Sequence, residues 1–61
     1  MNVKWEQNVL MNNGSVYGRV ILRGHRWRIE RFLDSGVLLN LGWRETAEDA
    51  MRVLELATTS S

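Results

Sequence analysis

Four closely spaced arginines carry the most evident chemistry of this 61-residue chain: Arg19, Arg23, Arg26 and Arg28. A guanidinium presents a planar fork of donors that matches phosphate oxygens and guanine edges, and it stays charged at any physiological pH. Of the eight basic residues only Lys4 is a lysine, a bias that suits bidentate contacts better than solubility alone. Glu30 sits among the arginines and reads as an orienting ion-pair partner rather than a general base. Asn40 carries an amide that could reach adenine, and Tyr17 offers a ring beside the arginines.

Other chemistries find little support. His25 is the single histidine and the chain has no cysteine, so no metal set is expected. No nucleophile–base pair can be assembled. The five glycines, Gly14, Gly18, Gly24, Gly36 and Gly42, are scattered as turn and strand breakers rather than grouped in a phosphate-cradling loop. An enzyme, a cofactor and a small-molecule substrate are therefore not expected.

The net charge is only +1, but it is unevenly spread. Between Ser15 and Arg44, six arginines stand against Glu30 and Asp34. From Glu45 onward, Arg52 stands against Glu45, Glu48, Asp49 and Glu55. The first of these spans reads as strands and the second as a helix, so a basic sheet and an acidic helix are expected. The plain alternative is a solvated sheet face that carries its charge for solubility.

The elements that must position the arginines follow from periodicity. Val16 to Arg23 alternates Gly18, Val20 and Leu22 with Tyr17, Arg19, Ile21 and Arg23, a strand pattern. Gly24-His25 makes a turn. Arg26 to Phe32 is the partner strand, and Leu33 to Gly36 the next turn. Val37 to Leu41 is a further strand, ended by Gly42. Thr46 is an N-cap, with Asp49 three residues on. Ala47, Ala50, Met51, Leu54 and Ala57 then form an apolar helical stripe from about Ala47 to Ala57. Before these, residues 1–14 read as a strand or an arm closed by the Asn13-Gly14 turn, with a short helix as the alternative. Residues 58–61 form a polar tail.

The helix must cover one side of the sheet. The side of Val20, Leu22, Trp27, Ile29, Val37, Leu39 and Leu41 is apolar. The other presents Tyr17, Arg19, Ile21, Arg23, Arg26, Arg28, Glu30, Phe32, Leu38 and Asn40. Trp27 and Trp43 are expected in the core, while Trp5 is open between packing, a partner anchor and a stacking platform. An antiparallel ribbon with such a face can enter a DNA major groove.

Length allows one small domain of marginal stability. The lack of cysteine and of a basic-then-apolar leader favours an intracellular, cytoplasmic setting, and no apolar run approaches the roughly 20 residues of a membrane span.

Three segments together resemble the AP2/ERF DNA-binding domain. They are Tyr17-Gly18-Arg19-Val20, Trp27-Arg28-Ile29-Glu30, and Leu41-Gly42-Trp43-Arg44-Glu45-Thr46-Ala47-Glu48-Asp49-Ala50. The arm-binding domain of phage tyrosine recombinases is similar to that family. The resemblance covers residues 16 to 57. It implies a three-stranded antiparallel sheet on one helix, with the sheet laid in the major groove. The chain departs from the plant pattern at Arg44, where a phenylalanine is usual, and at Phe32 and Ile21, where basic residues are usual.

The expectation is an α+β fold: a three- or four-stranded antiparallel β-meander packed against one C-terminal α-helix. The expected partner is double-stranded DNA, read in transcription control or site-specific recombination, in a phage or mobile-element setting. DNA-contacting residues would be Tyr17, Arg19, Arg23, Arg26, Arg28, Glu30 and Asn40. The alternative is a small protein-interaction module, or a homodimer, using the same outer face with its Ile21, Phe32 and Leu38.

Overall fold

Four tight connections set the sheet. In the computed structural model, which describes residues 2–59, strands β1 (Val3–Glu6), β2 (Val9–Asn12), β3 (Ser15–Arg23), β4 (Arg26–Phe32) and β5 (Leu38–Arg44) follow one another and pair in that order. All pairs are antiparallel. Helix α1 (Ala47–Thr59) closes the chain. The fold is thus α+β, a meander plus one C-terminal helix, but with five strands rather than three or four. Among the described residues, no helix is long and apolar enough to cross a membrane.

The extra strand comes from Gln7. Residues 3 to 11 were expected to run as one strand, or as an arm or short helix, yet Gln7 takes a φ of 58° and reverses the chain with Asn8. Glu6 then pairs Val9 across a two-residue loop. Glutamine is not a residue that advertises a left-handed turn, which is why the hairpin was hidden. The Asn13-Gly14 turn has φ of 54° and 85°, both central residues left-handed as a type I′ hairpin requires.

The core lies between the sheet and α1. Leu10, Val20, Ile29, Ala50 and Leu54 are fully buried, with Trp5, Trp27, Leu41, Met51 and Val53 packed around them. Thr46 caps the helix by accepting a hydrogen bond from Asp49 N–H at 3.2 Å. Trp5 Nε1 donates to Glu55 Oε2 at 2.5 Å and ties the first hairpin to the helix. Gly18 lets α1 approach: a Cβ there would stand 3.1 Å from both terminal methyls of Leu54. The helix runs to Thr59, so Thr58 and Thr59 belong to it. Their hydroxyls donate to the carbonyls of Glu55 and Leu56. The rest of the expected tail, residues 60 and 61, lies outside the described residues.

A single helix is about 10–12 Å across with its side chains, so α1 covers a stripe of the sheet and leaves the strand ends open. Leu22, Val37 and Leu39, expected in the core, are therefore exposed.

Two bulges change which face a side chain takes. Between β2 and β3, Leu10 pairs Gly18 while Met11 pairs Val16, leaving Tyr17 as the extra residue. Between β4 and β5, Ile29 pairs Gly42 while Glu30 pairs Asn40, leaving Leu41 extra. Each bulge shifts the alternation by one residue beyond it. Gly42 has a φ of 127° and does not end the strand but bends it.

Candidate nucleic-acid interface

The face of the sheet turned away from α1 is built by register. Directly opposite residues in an antiparallel pair share a face. On β3 and β4 the outward pairs are Arg19 with Glu30, Ile21 with Arg28, and Arg23 with Arg26. On β4 and β5 they are Arg28 with Trp43, Glu30 with Asn40, and Phe32 with Leu38. The face brings together Arg19, Arg23, Arg26, Arg28, Glu30 and Asn40, as the sequence alternation implied.

Tyr17 is the exception. The bulge turns it to the helix side, where it packs against the core and carries Arg31 over its ring, 4.7 Å from the centroid. The expected grouping of Tyr17 with the outward arginines therefore fails. Strict alternation from Gly18 does not hold across a two-against-one pairing.

Glu30 is the centre of the face and is only 2 % exposed. Arg19 Nε donates to its Oε1 at 2.6 Å. Arg28 Nε stands 3.0 Å from Oε2 as an ion pair without hydrogen-bond alignment. A carboxylate buried on a sheet face is tolerated only where such partners offset its lost hydration. Arg19 lies over Phe32 at 5.7 Å, and Arg26 and Arg28 lie over Trp43 at 5.3 and 5.9 Å. Each stack adds roughly 0.5–1 kcal/mol at such half-open sites and fixes where the guanidinium sits.

The arginines thus divide by role. Arg19 and Arg28 are held against Glu30. Arg23 and Arg26 flank the β3–β4 turn, exposed, with no acidic group within 4.0 Å among the described residues. Asn40 is partly committed: its Oδ1 accepts from Gly42 N–H at 2.9 Å and fixes the bulge.

Trp43 was placed in the core by sequence and instead lies on the outer face, half-buried beside Arg28. Leu41 takes the extra position, so Gly42 keeps the inward phase and Trp43 turns out. A glycine within an otherwise regular strand is the signal that could have shown this. Among the described residues, no three histidine, aspartate or glutamate side chains gather as a metal set.

Compared with protein-family models, with curated proteins and with solved structures, the chain finds no significant match.

Proposed function

We propose that this chain is a small module that binds double-stranded DNA, with the outer face of β3, β4 and β5 laid in the major groove. One observation carries the reading: the sheet face free of the helix holds four arginines on two adjacent strands, and two of them, Arg23 and Arg26, have no acidic partner among the described residues. Neighbouring strands lie about 4.8 Å apart, so a narrow antiparallel ribbon fits a groove about 12 Å wide. Arg23 and Arg26 would meet phosphates, and Arg19 and Arg28, held by Glu30, would face base edges. The acidic side of α1 points the other way and would hold that face off the duplex.

The module would serve transcription control or site-specific recombination inside the cell, in a phage or mobile element, as the AP2/ERF and recombinase arm-binding resemblance implies. No catalytic step is assigned to it.

The experiment is an anisotropy titration with a labelled duplex of about 20 base pairs at low and moderate salt. The expected result is binding that weakens steeply with salt, because phosphate contacts release counterions. No binding at low salt would remove the reading.

A second reading draws on Val16 and Leu38, exposed and apolar on the same outer face. It makes the face a protein contact or a homodimer interface. Light scattering after size exclusion separates the two: a dimer indifferent to salt favours the apolar contact.

A further inference from the structure

Where β3 begins and β4 ends, the sheet opens on a cleft of about 320 Å³ lined by Asn12, Ser15, Tyr17, Arg31, Phe32 and Asp34 among others. Arg31 is stacked over Tyr17. Its Nε is buried without a hydrogen-bond partner, and no acidic group lies within 4.0 Å of it among the described residues. Arg28 Nε also lacks an aligned hydrogen bond, but Glu30 neutralises it. Among the described residues, Arg31 is paired with the Tyr17 ring alone.

We propose that this cleft seats a backbone phosphate of the duplex taken by the arginine face, with Arg31 as its cation. The inference rests on the proposed DNA binding. Stacking on Tyr17 holds the guanidinium plane, which leaves its terminal nitrogens to fork onto two phosphate oxygens. The Ser15 hydroxyl, on the same cleft, supplies a neutral donor.

The spacing supports the assignment. Arg26 and Arg31 stand five residues apart on β4, about 17 Å along a strand. Each DNA strand presents a phosphate about every 3.4 Å of helix axis, so a ribbon lying along the groove meets backbone phosphates at both ends of β4. Arg19 and Arg28 then lie between the two ends, over the base edges. Phe32 joins the two regions: Arg19 stacks on it from the outer face, and it lines the cleft. Arg31 itself is on the helix side, so the phosphate reaches it around the end of the sheet. Asp34 on the same cleft repels a free anion, and the seat works when a duplex held elsewhere presents the phosphate.

The test is a set of anisotropy titrations of the full chain with a labelled duplex, over roughly 50 to 200 mM salt. It compares wild type with Arg31→Gln, Arg31→Lys and Asp34→Asn, and with Glu48→Gln as a charge-matched control on the helix. Arg31→Gln is expected to weaken binding about 3- to 10-fold and to make the log–log salt slope shallower by about one. Arg31→Lys should restore the slope. Asp34→Asn should tighten binding about 2- to 5-fold more than Glu48→Gln does.

An Arg31→Gln variant with wild-type affinity and slope overturns the cleft assignment and leaves the arginine face standing. So do equal effects of Asp34→Asn and Glu48→Gln, a comparison that decides alone if Arg31→Gln fails to fold. Absence of duplex binding by wild type overturns both readings. If inorganic phosphate shifts the amide resonances of Ser15 and Arg31 at matched ionic strength without competing with the duplex, the duplex is overturned as the source of the anion.

Discussion

Arg19 and Glu30 face each other across β3 and β4, with Nε 2.6 Å from Oε1, and the pair is markedly asymmetric in exposure. Glu30 is 2 % exposed while Arg19 keeps 40 % of its side chain in solvent. The arginine is therefore a lid on the carboxylate as much as a partner to it. Arg28, 31 % exposed, closes the other side. The most polar-looking face of the molecule has a buried anion at its centre.

Glu30→Gln should therefore destabilise the domain although it removes a negative charge from a net-basic face. Hydrogen bonds to charged groups contribute about 1.5–3 kcal/mol, and the two arginines regain water when released. A net loss of about 1–3 kcal/mol is expected. Thermal unfolding should show it as a fall of roughly 4–8 °C per kcal/mol for a domain of this size. A variant that melts with the wild type would mean that the carboxylate is dispensable to the sheet.

The sequence carried most of this frame because its periodicity is clean where it matters. Val20 and Ile29 alternate with Arg19, Ile21, Arg28 and Glu30, and the pairing register repeats that alternation. Thr46 and the Ala50, Leu54 stripe announced the helix. The hidden features depended on backbone that residue types do not declare. Gln7 turns with a positive φ where glycine or asparagine is usual. Tyr17 and Leu41 are extra residues in bulges, and each reverses the parity of the strand on its far side, which moved Tyr17 inward and Trp43 outward. The Arg31 cleft was invisible for the same reason: it requires Tyr17 and Arg31 on one side.

Gly18→Ala should be among the most damaging small substitutions. A Cβ at that position collides with the carbonyl oxygen of Glu30 and crowds both Leu54 methyls at 3.1 Å. Overpacking of this kind costs about 1–3 kcal/mol, a large share of the stability of so small a domain. Adding Leu54→Ala should not rescue it, since the collision with β4 backbone persists. Urea denaturation of the single and double variants checks both statements; rescue by the double variant would place the strain on Leu54 instead.

Gln7→Gly should raise stability by up to about 1 kcal/mol. A non-glycine residue in the left-handed region carries roughly 1–2 kcal/mol of backbone strain, and the greater freedom of glycine in the unfolded chain offsets part of the relief. Gly24→Ala, at a φ of 66° in the matching turn of β3 and β4, should act in the opposite sense. Paired denaturation curves test the two. Destabilisation by Gln7→Gly would show that the Gln7 side chain, rather than its backbone, holds the first hairpin.

The two arginine pairs on the outer face should separate folding from binding. Removing Arg19 and Arg28 together strips both cations from Glu30 and should cost about 1–3 kcal/mol, at the low end because water then reaches the carboxylate. Loss of duplex binding in that variant is thus ambiguous. Arg23 and Arg26 are exposed and have no acidic partner among the described residues, so Arg23→Ala with Arg26→Ala should melt close to wild type. If they meet phosphates, the double variant should bind duplex more weakly across all sequences, with a salt slope shallower by about two. A base-reading role would instead relax discrimination between sequences. Wild-type affinity in a variant that is folded and lacks both arginines would take the β3–β4 turn out of the interface.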